Sequence, residues 1–328
     1  MGNVVEPLLG VAGDTPRRRS LILYGGGAFA AAVALTTIAA GFWLFVAALV
    51  IGYTASTAFV SLSQASLMDL QPDARELNMA RWTLAGSVGV VGGPLLLAVA
   101  VAAGAGWRGA LLVPAAAAAV VTALVRRYPI PTPDAHESLL SGLRGAVVAL
   151  RRREVLRWLA VLEASDLMLD VLHGFLALYL VDVVGLSAVE AGLAFGVWTG
   201  AGLVGDALLV PLLARVRGVA YLRASAAVVT LVYPALLLVP GPGAKIGLLA
   251  VLGVLNAGWY AIPKARLYAA LPGRSGTAIA VGSAGGFVGA AVPLALGVLA
   301  DHAGLAPTMW LLVAAPLLLL ALVPRSRV

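Results

Sequence analysis

Glu163, Asp166, Asp170 and His173 carry the groups best suited to chemistry in this chain. They stand 3, 4 and 3 residues apart inside a long apolar segment. On an α-helix that spacing stacks all four on one face. Ionisable groups at membrane depth are costly, so they usually face a polar interior and mark a route for ions or substrate. A carboxyl in such a place can take a proton from one side and release it to the other, and His173 could extend that relay. At 1.5 Å per residue, Asp166 and Asp170 fall near the middle of a spanning helix and Glu163 nearer one end. Asp170, then Asp166, are therefore the first proton-coupling candidates, with Glu163 and His173 in support. The competing reading is that some of these acids only pair with backbone or a neighbouring helix.

Other polar positions in apolar surroundings join them. Asp206 follows Gly202-Leu-Val-Gly205 and is a second coupling candidate. Asn256 and Tyr260 stand at i, i+4 with Trp259 and Pro263 beside them, and would share a face lining a substrate cavity. Tyr53, Thr57 and Gln64 form a similar, weaker face, because small hydroxyls in spans often bond to their own backbone. Asp166-Leu-Met-Leu-Asp170 also fits an acidic Mg²⁺-diphosphate cluster of an intramembrane prenyltransferase, but the second acidic cluster that such chemistry needs is missing. There is no cysteine, and the three histidines are far apart in sequence. Thiolate chemistry, disulfides and a metal site are thus not expected. No phosphate-binding G-x-x-x-x-G-K-[ST] run occurs, and no cofactor is implied.

The elements that must position these residues are membrane helices. Of 328 residues, 61% are hydrophobic and 11% charged, and mean hydropathy is +1.00. A soluble domain is nearer a quarter charged. Apolar segments at 20–38, 43–67, 83–103, 108–125, 156–181, 188–213, 221–239, 245–263, 277–299 and 306–323 give ten expected spans. Each is about long enough to cross a bilayer. If Arg17, Arg18 and Arg19 are cytoplasmic, alternation puts every one of the 22 Lys and Arg on the same side except Arg108 and Lys245. The positive-inside rule then makes the C-terminus cytoplasmic. It also explains the net charge of +7 without nucleic acid. Lipid is the expected macroscopic partner, in the cell inner membrane.

The longest polar connection opens Tyr128-Pro-Ile-Pro-Thr-Pro and continues with Leu139, Leu140, Leu143, Val147 and Leu150 at helical spacing. This predicts an extended stretch and then a surface helix near anionic lipid. The expected domains are an N-terminal bundle over 1–125, a linker over 126–155 and a six-helix bundle over 156–328. A repeat supports two halves: Gly86, Ser87, Gly89 and Gly93 recur as Gly282, Ser283, Gly285 and Gly289, an offset of 196. Both glycine helices run the same way, so the repeat is parallel. By symmetry two further spans are expected before Met1, with residues 1–13 as the end of the second.

The fragment Gly10-Val-Ala-Gly-Asp14-Thr-Pro-Arg17-Arg18-Arg19 resembles the loop motif G-x-x-x-D-R-x-G-R-R of the major facilitator superfamily. Gly10, Asp14, Arg18 and Arg19 match; Thr15 and Arg17 depart. Gly89-x-x-x-Gly93-Pro94 resembles part of a glycine-proline motif in the family's antiporters. The resemblance implies an all-α integral membrane protein of two helical bundles, with about ten complete transmembrane helices here. It implies alternating access to a central site for a small-molecule substrate, with Asp14 and the arginines as a gating loop. It also implies a proton-coupled secondary transporter of the efflux type, acting as a monomer; uptake by symport or facilitation is the alternative, and an enzyme is not expected. Gly86, Gly89 and Gly93 line one helix face, where close backbone packing is expected, and Pro94 is placed to bend that helix.

Overall fold

The computed structural model describes residues 2–131 and 139–325, and Thr132 and Pro133 of the proline-rich stretch lie outside them. The described residues are helical, with no strand. In chain order the helices are α1 (Gly2–Gly13), α2 (Arg18–Ile38), α3 (Phe42–Leu70), α4 (Pro72–Ala102), α5 (Gly106–Val125), α6 (Leu139–Ala149) and α7 (Arg153–Val183). Next come α8 (Ala188–Leu213), α9 (Gly218–Leu238), α10 (Pro242–Leu255), α11 (Ala261–Ala269), α12 (Ser275–Ala303) and α13 (Leu305–Leu322). Among the described residues, nine of these are long and apolar enough to cross a membrane. The tenth expected span is not one helix: α10 ends at Leu255, and α11 resumes only at Ala261.

The chain divides into two compact units that do not follow sequence order. One holds Met1–Asp73, Gly92–Arg152 and Tyr268–Ala284; the other holds Ala74–Val91, Arg153–Leu267 and Gly285–Val328. Each includes a piece from the opposite half of the sequence, the start of α12 in the first and the start of α4 in the second. In the first unit α2 packs on α3 and α5, while α1 lies on α3 and on the surface helix α6. In the second, α8 packs on α10, α9 on α10 and α13, and α13 on α7.

Matching boundaries recur with a regular interval. Each end of α9 lies 200 residues after the same end of α2, and α10 begins 200 residues after α3. The offset of 196 read from the glycines is therefore about one helical turn short, because identity among glycines is a poor guide to register. The two basic residues expected on the outer side act as helix caps. Arg108 donates to the carbonyl of Ala39 after α2 at 3.1 Å, and Lys245 to the Leu236 carbonyl of α9 at 2.6 Å. A cation at a helix C-terminus meets unpaired carbonyls and the negative end of the dipole.

Regular helix fails at informative places. A π-helical turn, Thr57–Ser61, interrupts α3, and the gap between α10 and α11 covers Asn256 to Tyr260. The two distortions sit at equivalent positions of the repeat. Two more π-helical turns, Leu167–Val171 and Tyr179–Val183, lie in α7. Such turns are rare and gather at functional sites.

Close helix packing uses other glycines than those expected. A Cβ built on Gly86, Gly89 or Gly93 meets no atom within 4 Å, so the close backbone contact predicted on that face is not formed among the described residues. Pro94 sits inside α4 without ending it. One tight crossing is that of α8 with α10: a Cβ on Gly253 would strike the Trp198 carbonyl, and one on Gly205 would lie 2.8 Å from the Val254 carbonyl. Gly253→Val should cost ~1–3 kcal/mol or more, as overpacking does. Gly89→Ala should be neutral or stabilising, since Ala is the better helix former by about 1 kcal/mol. Thermal unfolding of the purified protein in detergent separates the two outcomes.

Candidate functional site

A cavity of ≈ 460 Å³ opens within the second unit. Its wall comes from the start of α4, from α7, from α8 and from the broken segment after α10. Asp166, Asp170, His173, Asp206, Asn256 and Tyr260 all line it, as do Trp82, Ser87 and Trp198. Six residues picked from sequence for chemistry thus come together, from three separate segments.

The π-helical turn at Leu167–Val171 begins just after Asp166 and contains Asp170. One extra residue in a turn rotates the downstream helix by about 100° relative to a regular one. The four-residue stack expected from the 3, 4, 3 spacing is therefore altered. Asp166, Asp170 and His173 reach the cavity, whereas Glu163 does not line it. The Glu163 carboxylate lies instead against α12, where a Cβ on Gly285 would be 2.5 Å from its Oε1, and its other oxygen faces Gly289. The His173 ring meets Phe195 edge-on at 4.6 Å and Trp198 at 5.7 Å, forming an aromatic wall with α8.

Asp206 is held rather than free. Its Oδ2 accepts the Ser87 hydroxyl at 2.5 Å, and the backbone of Gly258 hydrogen-bonds it too. Gly258 stands at φ +80°, in the left-handed region that suits glycine. The break after α10 thereby aims a backbone donor at a buried carboxylate. Asn256 and Tyr260 do share the cavity, but through this broken backbone rather than as i, i+4 on a helix. Asn256 is 7% exposed, and neither its Nδ2 nor its Oδ1 has a hydrogen-bond partner among the described residues.

Tyr53, Thr57 and Gln64 do not line this cavity. Thr57 spends its hydroxyl on the Tyr53 carbonyl at 3.1 Å, and buried Gln64 accepts the Tyr268 hydroxyl at 3.1 Å. Local backbone bonding, the competing expectation, accounts for Thr57. Sequence reasoning missed Trp82, Ser87 and Gly258 as site residues. Ser87 stood in the glycine repeat and so read as packing; its partner lies 119 residues away, which no local pattern signals.

The gating-loop residues form a second polar cluster, within the first unit. Arg18 is fully buried. Its Nε donates to the Gly13 carbonyl at 2.6 Å, and its other nitrogens reach Asp69 at 2.6 Å, Asp14 at 3.3 Å and the Ser275 hydroxyl at 2.8 Å. Asp14 caps α12: its Oδ1 accepts the Gly276 N–H at 2.7 Å and its Oδ2 the Thr277 N–H at 2.7 Å. Those amides have no partner within their own helix, and the helix dipole favours the anion there. Gly10 is required because a Cβ would sit 2.7 Å from the Gly276 carbonyl. Arg19 stands apart and donates to the Arg126 carbonyl after α5 at 2.8 Å. In the second unit Glu76 does a similar task for α9. It accepts the Gly218 N–H at 3.2 Å and pairs with Arg266 at 2.6 Å.

Nine helices of spanning length among the described residues, with a polar cavity walled partly by their side chains, are the build of a polytopic membrane protein. The sequence matches the Major Facilitator Superfamily over residues 3–292, and the chain belongs to that family. No curated protein matches the sequence. Among solved structures, an E. coli fucose:proton symporter is similar at TM-score 0.79 and 16% identity, over 98% of this chain and 86% of that one. A second structure of a facilitator transporter, in the outward conformation, gives 0.72 and 14%, over 98% and 85%. The human organic anion transporter MFSD10 gives 0.78 and 22%, over 98% and 81%. The fold is that of the family, and the chain is a transporter and not an enzyme. The prenyltransferase reading of Asp166 and Asp170 is withdrawn on that ground.

Two measurements test the Arg18 cluster. Asp69→Ala removes the nearer partner of a buried guanidinium and should cost ~3–5 kcal/mol. Arg266→Ala breaks a pair that is partly exposed and should cost about 1 kcal/mol or less. Asp14 supplies a pH test. Burial, the largest influence, raises its carboxyl above the ordinary aspartate value, against the opposing bonds from Thr277 and Gly276 and the charge of Arg18. The capped state thus binds the proton more tightly than an exposed Asp14 does. Above the raised pKa the cost of burying the charge outweighs what the capping bonds and Arg18 return, so acidification through the window down to the ordinary value should strengthen the contact. Hydrogen exchange at the start of α12 should show that gain of protection, and Asp14→Asn should abolish its pH dependence.

Proposed function

We propose that this chain is a proton-coupled secondary active transporter that exports a small organic compound by alternating access. The observation that carries the reading is the cavity shared by Asp166, Asp170, Asp206 and His173. Asp170 and Asp166 are the coupling acids. They sit on either side of the start of a π-helical turn, where the backbone can adjust as a proton arrives or leaves. His173 stands at the same wall. Asp206, Asn256 and Tyr260 belong to the substrate side. Glu163 supports α12 outside the cavity.

The remaining parts fit that cycle. Asp14 and Arg18 are a latch that ties α1 and the start of α2 to α12, weak enough to open on each turnover, and Glu76 with Gly218 and Arg266 is its counterpart. The division into bundles over 1–125 and 156–328 with the linker over 126–155 describes the moving parts. The protein sits in the inner membrane with its C-terminus in the cytoplasm, on the distribution of Lys and Arg, and works as a monomer. Uptake by symport is the second reading. What favours it is the structural likeness to a protein described as a fucose:proton symporter.

The test uses inside-out vesicles carrying a preformed pH gradient and a panel of small organic cations, anions and neutral compounds. An exported substrate should collapse the gradient as it enters these vesicles. Asp170→Asn should lose gradient-driven accumulation of that compound while keeping part of its exchange. Unchanged gradient dependence in Asp170→Asn would remove Asp170 from the coupling step.

A further inference from the structure

We propose that the cavity takes an organic cation with a hydrogen-bonding group next to its charge, held by Asp206 and Asn256. That this ligand is the transported substrate rests on the transporter reading above; that it binds does not.

Charge gives the first argument. Among the described residues, three carboxylates line the cavity and no Lys or Arg does. Lys264, outside that lining, acts electrostatically on Asp166 and Glu163, which leaves Asp170 and Asp206 as the other two acids of the lining. An anionic ligand would enter against that field, and a cation would enter with it. Asp206 is the fixed member of the pair. Ser87 and Gly258 hold its carboxylate by two hydrogen bonds, and a carboxylate has acceptor sites to spare for a third partner. Asp170 is exposed, and Asp206 is the anchor.

The walls give the second argument. Trp82, Trp198, Tyr260 and His173 line the same space. Aromatic faces attract a cation, most of all a poorly hydrated organic one. A bare metal ion would instead need several converging oxygens, and among the described residues no group of acids and histidines is placed to supply them.

Asn256 gives the third, independently of the acids. A buried amide with both ends unpaired is expensive, and such groups are rare without a reason. Asn256 lines the cavity, is 7% exposed, and lacks a partner for Oδ1 and for Nδ2. A ligand hydroxyl or amide can both donate to Oδ1 and accept from Nδ2. The break after α10 places Asn256 and the Asp206-binding amide of Gly258 two residues apart. The polar group and the charge of the ligand should therefore be close neighbours.

The experiment is calorimetric binding to the purified protein in detergent with three probes. These are phenethyltrimethylammonium, its analogue with a hydroxyl two carbons from the nitrogen, and 3-phenylpropionate. Both cations should bind, the hydroxylated one more tightly, and phenylpropionate at least about tenfold more weakly. Asp206→Asn keeps the shape and should weaken both cations about tenfold or more. Asn256→Leu should erase the advantage of the hydroxyl, about 3- to 10-fold, and leave the plain cation little changed. Trp198→Leu should weaken both cations while leaving the hydroxyl preference intact, which checks the wall without touching the polar groups. Phenylpropionate binding as tightly as the cations, or cation affinity unchanged in Asp206→Asn, would overturn the proposal. Cations that bind in this pattern but never respond to an imposed pH gradient would sink the transporter reading and leave this site standing. Gradient-driven movement of an anion with no cation binding would do the reverse.

Discussion

Inside a bilayer a backbone amide has no water to turn to, so every helix break needs a partner for the groups it frees. The segment from Asn256 to Tyr260 meets that constraint by giving the Gly258 amide to Asp206. The carboxylate in turn has Ser87 of α4 on its other side. Break, acid and cavity are thus one arrangement. Without the acid the break would leave a donor unpaired, and without the break the acid would face a closed helix surface.

Polar groups are placed by the same logic elsewhere. Asp14 and Glu76 each satisfy the free amides at the start of a distant helix, α12 and α9. Arg108 and Lys245 donate to free carbonyls at the opposite helix ends. In each case a charge is tolerated because helix termini carry unpaired groups of the opposite polarity. The buried Arg18 differs, since it depends on two acids, a carbonyl and a hydroxyl together.

Sequence made the class and much of the order legible. Spans are long apolar runs, and their alternation with arginine-rich connections is a signal that each loop repeats. The surface helix near Leu139 was legible from its spacing, and so were most other boundaries to within a few residues, but α4 begins at Pro72 rather than 83 and the span expected over 245–263 is broken after Leu255. The cavity acids were legible as well, because a charge in an apolar run stands out. What sequence could not carry was register. A π-helical turn adds one residue without any residue type that announces it, so regular spacing misplaces Asp170 and His173 relative to Glu163 and Asp166, and nothing local tells that Glu163 faces α12 while Asp166 faces the cavity. Glycines 86, 89 and 93 looked like a packing stripe, while the real contact lies at Gly205 and Gly253, where the partner backbone decides. Pairings such as Ser87 with Asp206 join distant segments and leave no local trace.

The bare contact of α8 with α10 has a mechanical consequence. Two helices that touch through Gly253 and the Trp198 carbonyl cannot slip by one residue along each other, because the next side chain would collide. They behave as a single stiff strut. Along α10 the place left to flex is the few residues after Leu255, where the helix is interrupted. A force that flexes the strut is delivered there, beside Asp206, and the joint forms part of the cavity wall.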